Sequence, residues 1–129
     1  MKKIIFKGVG TAIVTPMKED FSINYSVFDN LLDMQIAGNA DAVVVAGTTG
    51  ESSTLTDDEH IELVRHAVKY VNGRIPVIAG AGSNNTAHAV YLSKECEKAG
   101  ADALLHVTPY YNKASQQGLF LHFSKCAGS

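Results

Sequence analysis

Cysteine is scarce in this chain of 129 residues: Cys96 and Cys126 are the only two. Two thiols make neither a disulfide framework nor a metal motif. Clusters of basic residues are equally scarce. Beyond Lys2-Lys3 no run of Lys or Arg stands out, and the formal charge is −2, so a nucleic-acid footprint is absent. Long apolar runs are missing too. Met1 to Phe6 is too short in its apolar part to be a signal peptide or a membrane span. Without an export signal the expectation is a cytoplasmic protein whose thiols stay reduced. Cys96 stands in a helical pattern among Lys94, Glu95, Glu97 and Lys98, a poor setting for a nucleophile. The five histidines (His60, His66, His88, His106 and His122) have no metal-ligand spacing beyond helical coincidence, so no metal and no cofactor is expected.

What is present reads as one globular domain. A hydrophobic content of 46% and a charged content of 19% are ordinary for a soluble fold. Val9 to Val14 is an apolar run stopped by Thr15-Pro16, since proline cannot donate to a sheet ladder. Asn24 or Ser26 can cap a helix reaching about Gly38, with Val27, Leu31 and Met34 as its apolar stripe. Asp41 to Ala46 is continuously apolar in its middle, as in a parallel strand covered on both faces. Thr56 and Glu59 form a capping box for a helix with Ile61, Val64, Ala67, Val68 and Val71 inward, ending at Asn72-Gly73. The cycle repeats with a strand at Ile75 to Ala79 and a helix from Asn85 to Ala99. It repeats again with a strand at Asp102 to Val107 and a helix starting at Ser115, with Leu119, Phe120 and Phe123 on one side.

Strict strand–helix alternation with short turns predicts right-handed βαβ crossovers. A small doubly wound sheet and half of a (β/α)₈ barrel both fit. A complete barrel needs about 250 residues. The half-barrel, (βα)₄, is favoured because the polar segments cluster after strand C-terminal ends, where barrels keep their sites. These are Thr15-Pro16, Gly47 to Glu51, Gly80 to Asn84 and Thr108 to Asn112.

Two of these loops carry chemistry. In Gly47-Thr48-Thr49-Gly50-Glu51, glycines allow close backbone approach, and successive N–H groups with two hydroxyls suit a carboxylate or phosphate. The same residues also read as a plain strand–helix turn. In Thr108-Pro109-Tyr110-Tyr111-Asn112, adjacent tyrosines cannot both enter one core, so at least one is exposed, in an interface or a site. Gly80-Ala81-Gly82-Ser83-Asn84 lacks dinucleotide-loop spacing, so no nucleotide is expected there.

Four ordered segments together resemble the dihydrodipicolinate synthase family: Gly8 to Pro16, Gly47 to Ser52, Arg74 to Asn84 and Val107 to Asn112. N-acetylneuraminate lyase and the 2-keto-3-deoxy sugar acid aldolases share that fold and mechanism. The resemblance runs from about residue 6 to Phe123. It implies a Schiff-base aldolase condensing pyruvate with aspartate semialdehyde in lysine biosynthesis. Thr49, between Gly47 and Gly50, would then bind the pyruvate carboxylate. Thr48 would stand in a hydroxyl relay, and Tyr111 would be a relay tyrosine given across a dimer interface, so a homo-oligomer is expected. The family's Schiff-base lysine, second tyrosine and carboxylate-binding arginine belong to later strands and have no counterpart here. Lys18, Lys113 and Lys125 are not stand-ins, and a chain limited to these residues is expected to be inactive. Ser124 to Ser129 matches the family's helix only weakly.

The resemblance further implies a lysine-binding interface cleft at Ser52, His60, Asn84, His88 and Tyr110. His88 departs, standing where a carboxylate would meet the ligand's α-ammonium. Finally, an unclosed four-strand sheet would bare edges and the inner faces of Val43, Val45, Val77, Ile78, Leu104 and Leu105. Pairing of two copies into a pseudo-barrel is therefore expected.

Overall fold

A computed structural model describes residues 4–129. The elements alternate without interruption: β1 (Gly10–Ala12), α1 (Tyr25–Ala37), β2 (Ala42–Val45), α2 (Asp57–Val71), β3 (Val77–Gly80), α3 (Thr86–Lys98), β4 (Ala103–Leu105) and α4 (Gln116–Ala127). A single 3₁₀ turn, Ser52–Thr54, precedes α2. All strand pairs are parallel and the order is β1-β2-β3-β4. This is the (βα)₄ arrangement that the alternation predicts.

Local chemistry sets the helix starts. Asn24 accepts from Val27 N at 3.3 Å, and Ser115 from Gly118 N at 3.1 Å. At α2 the capping box is complete: Thr56 Oγ1 accepts from Glu59 N at 3.3 Å, and Glu59 Oε2 accepts from Thr56 N at 2.8 Å. Asn72 ends α2 in the left-handed region, as a C-cap asparagine can. Each cap satisfies donors or acceptors that the helix ends leave open.

The core lies between the sheet and the helices, and three sequence expectations shift there. In α1 the fully buried residues are Phe28 and Leu32, while Val27 and Met34 are exposed. Two apolar stripes lie one residue apart, and packing selects the one with the larger ring. In α4, Phe120 is exposed and the inward positions are Leu119, His122, Phe123 and Cys126. That helix also runs firmly through Ala127, so Ser124 to Ala127 are helical rather than a weak continuation. In the sheet, Val43, Val45, Val77 and Leu104 pack on the helix side. Because Val44, Ile78 and Ala103 are registered neighbours, they share the opposite, inner face with Leu105. Four of the six residues expected on the barrel interior therefore face the helices. A continuous apolar strand carries no alternation from which to tell its two faces apart.

Candidate functional site

The strand C-terminal ends gather the polar loops. Thr15 Oγ1, buried after β1, donates to the Gly50 carbonyl at 2.7 Å and pins the loop that follows β2. Within that loop Ser52 N donates to Gly47 O and Glu51 N to Thr48 O. The N–H groups of Thr48 and Thr49 have no protein acceptor among the described residues, and both side chains are exposed. This leaves adjacent amides and hydroxyls free for an anion. Glycine is required beside it: a Cβ on Gly80 would lie 2.3 Å from the Ala46 carbonyl oxygen. The sheet thus brings the loops after β2 and β3 into direct backbone contact.

A cavity of about 180 Å³ opens toward the inner face, lined by Gly47, Thr48, Gly80, Gly82 and Leu105 among others. A neighbouring one of about 300 Å³ is lined by Thr48, Ser52, Ser53, Gly82, Val107 and Tyr110. No lysine lines either cavity. Thr48 and Tyr110 are therefore brought together. Tyr111 is not: it is fully exposed, holds φ +68°, and contributes to neither cavity. It faces away from the chain.

On the outer side of these loops, Ser52, His60, His88 and Tyr110 line a cleft of about 200 Å³. Asn84 joins its rim by donating from Nδ2 to the Tyr110 carbonyl at 3.2 Å. Four of the five residues named for the cleft line it, and Asn84 contacts the backbone of one of them. His60 is buried and its Nε2–H donates to the Gly80 carbonyl at 2.7 Å. Burial holds its imidazole below the ordinary range. The cleft also holds residues the sequence reading left out. Asp57 Oδ1 lies 2.9 Å from His88 Nε2, and Ser83 Oγ lies 3.1 Å from His88 Nδ1. Asp57 and His88 stand 31 residues apart, and only the fold joins them.

Among the described residues, no group of three or more His, Cys, Asp or Glu is arranged to hold a metal, and no helix is long and apolar enough to cross a membrane. The dihydrodipicolinate synthetase family model matches residues 5–129. The 4-hydroxy-tetrahydrodipicolinate synthase of Lachnoclostridium phytofermentans is 58% identical over 97% of this chain and 42% of that relative. Solved structures agree. The dihydrodipicolinate synthase of Bacillus anthracis superposes with a TM-score of 0.95 at 44% identity, covering 98% of this chain and 43% of its own. The chloride-inhibited enzyme of Acinetobacter baumannii, complexed with pyruvate, gives 0.93 at 42% identity over 97% and 43%. The DHDPS of Cyanidioschyzon merolae with lysine bound gives 0.93 at 45% over 98% and 43%. The chain spans less than half the length of these relatives.

Proposed function

The chain belongs to the dihydrodipicolinate synthetase family, and from that premise we propose that it supplies the N-terminal part of a pyruvate-condensing site. The observation that carries this reading is the pair of unpartnered amides at Thr48 and Thr49, of which Thr48 lines the inner-face cavity. Fixed N–H donors hold an anionic carboxylate without reorganisation, and the relative from Acinetobacter baumannii is complexed with pyruvate. In this reading Thr49 binds the carboxylate through its N–H and hydroxyl, with Gly47 and Gly50 shaping the loop. The Thr48 hydroxyl passes a proton, and Tyr111 reaches the relay of a neighbouring copy. Its full exposure suits a role outside its own chain. The second substrate is aspartate semialdehyde, placing the reaction in lysine and diaminopimelate biosynthesis.

Condensation needs an amine that forms a Schiff base with the keto carbon. No lysine lines either inner cavity, so these 129 residues bind pyruvate without turning it over. Two measurements test this. Pyruvate should shift the backbone amide resonances of Thr48 to Gly50, and Thr49→Val should remove the shift. Borohydride with pyruvate should leave no reduced adduct on any lysine. Unmoved amides would overturn the binding role, and a lysine adduct would overturn the inactivity.

A second reading concerns the outer cleft, because a relative holds lysine. We propose that Ser52, His60, Asn84, His88 and Tyr110 form such a cleft here and that it answers lysine poorly. His88 offers no carboxylate, and its ring is already engaged by Asp57 and Ser83. Loss of one charge-assisted hydrogen bond of about 1.5–3 kcal/mol weakens binding by roughly tenfold to more than a hundredfold. Micromolar inhibition by lysine of an enzyme carrying this half would contradict it.

A further inference from the structure

We propose that His106 and His122 form an acid-sensitive latch that holds α4 against α3 and the end of β4, and so fixes the loop carrying Tyr110 and Tyr111. The latch depends on neither the pyruvate reading nor the lysine reading.

Both rings hang on one helix. His122 Nδ1 lies 2.8 Å from Thr86 Oγ1, and His106 Nε2 lies 3.3 Å from Ser93 Oγ. Thr86 and Ser93 both belong to α3, about two turns or 10.5 Å apart, a distance that two imidazoles set end to end span. The remaining nitrogens, His122 Nε2 and His106 Nδ1, are enclosed and have no hydrogen-bond partner. They are the only enclosed side-chain nitrogens or oxygens left so among the described residues. Buried polar atoms are ordinarily paired, and His122 is only 3% exposed.

The hydroxyls settle the tautomers. Ser93 Oγ already donates to the Ala89 carbonyl at 2.6 Å, so toward His106 it only accepts. His106 therefore carries its proton on Nε2, and its Nδ1 presents a lone pair. The Thr86 hydroxyl has no other acceptor among the described residues, so it donates to His122 Nδ1. His122 then carries its proton on Nε2. One ring offers a donor and the other an acceptor, joined by a small ring rotation or through one shared water. Phe123 stands edge-on to His122 with ring centroids 5.2 Å apart and limits that ring's freedom.

Acid turns the pair against itself. The next proton goes to the lone pair of His106 Nδ1, so two donors face each other and the bond is lost. Burial and the nearby His122 both hold the His106 imidazole below the ordinary range. Release of α4 opens the ring to water, where it takes the proton more readily. The latch is therefore complete above about pH 6.5 and weakens below it.

The other titratable groups along this seam are Lys94 and Glu97 of α3, Asp102 just before β4, and Cys126 of α4. With His106 they line a cavity of about 370 Å³. The Asp102 carboxylate accepts from Val77 N at 2.9 Å, and burial raises the Cys126 thiol and keeps it neutral. None of the four bonds to either imidazole. The segment from Val107 to Ala114 runs between the two histidine-bearing elements, so its anchorage at the α4 end follows the latch.

The test follows the 129-residue chain by amide hydrogen exchange and histidine ¹⁵N spectra at about pH 7.5 and about pH 5.5, on either side of the ordinary histidine value. Protection of the α4 amides should fall at the acid end by at least about fivefold relative to those of α2, the lower end of ordinary coupling between a ligand and a conformational change. At the neutral end both His106 and His122 should carry their proton on Nε2. His106→Gln keeps a side-chain acceptor that does not titrate, so the pH response of α4 should disappear. Should that variant fail to fold, the wild-type tautomers decide. Parallel loss of protection in α2 and α4, an unchanged response in His106→Gln, or a neutral His106 protonated on Nδ1 would overturn the proposal.

Discussion

His60 Nε2 lies 2.7 Å from the carbonyl oxygen of Gly80, so a single buried hydrogen bond ties α2 to the end of β3. The bond sits between the inner cavity, which Gly80 lines, and the outer cleft, which His60 lines.

His60 is held below the ordinary histidine range by burial, and His106 by burial and then by the nearby His122. A histidine whose folded pKa is depressed binds its proton more readily in the unfolded chain. Stability therefore stays level above the unfolded value of about 6.5 and falls as pH drops below it. Urea midpoints between neutral and acidic pH should decline, and His60→Gln should flatten part of that decline. His60→Ala at neutral pH should cost about 1–3 kcal/mol, the penalty for leaving the Gly80 carbonyl unpaired.

How much of this was legible beforehand follows from where the information sits. The Thr56–Glu59 capping box and the Asn85 and Ser115 caps are local, so their residues announce them. The phase of α1 is not local. Val27 and Phe28 are adjacent apolar residues, as are Leu31 and Leu32, and only contact with the sheet selects Phe28 and Leu32. The inner face of β2 was equally hidden, because Ala42 to Val45 is apolar on both sides. The loop of Thr48 and Thr49 was visible from its glycines. The contact of Asp57 with His88 was not, since α2 and β3 lie between them in the chain.

Gly80→Ala should be among the most damaging small substitutions. Its methyl would lie 2.3 Å from Ala46 O and 2.8 Å from Gly47 Cα, and both are backbone. A loss of at least about 1–3 kcal/mol is expected from overpacking, with the Thr48 and Thr49 amide resonances displaced. Gly73→Ala meets no atom within 4 Å but holds φ +74°. Its cost should be about 1–2 kcal/mol, with the loop resonances unmoved. Chemical denaturation with amide spectra separates the two.

Thr56→Ala removes the hydroxyl that accepts from Glu59 N and donates to Glu59 Oε2, while the backbone N–H at 56 still donates to Glu59. A cost of about 0.5–2 kcal/mol is expected. Thr56→Ser should recover most of it in the same urea titration.

Both thiols should be silent in the folded chain. Cys96 is fully enclosed, and burial pushes its thiol up to about 11. Cys126 is buried on the inward side of α4, and its thiol is raised by burial as well. Reaction needs the thiolate, so a disulfide reagent at mildly alkaline pH should modify neither until denaturant is added. Rapid modification of one thiol in the native protein would mean that α4 leaves the core readily.

Tyr111 separates folding from association. Its side chain is wholly exposed, and its backbone sits at φ +68°, where a bulky residue is strained. Nothing in its own fold repays that conformation. Asparagine is more tolerant of it, so Tyr111→Asn should leave the monomer as stable as before, or raise its stability by up to about 1 kcal/mol. If Tyr111 serves a neighbouring copy, the same substitution should weaken self-association in sedimentation at micromolar concentration. Tyr110, which lines the outer cleft and whose carbonyl accepts from Asn84, is the contrasting case. Tyr110→Ala should disturb the cleft within one chain and shift the resonances of His88 and Asn84. Equal association by wild type and Tyr111→Asn would remove the intersubunit role and leave the exposed ring without a partner.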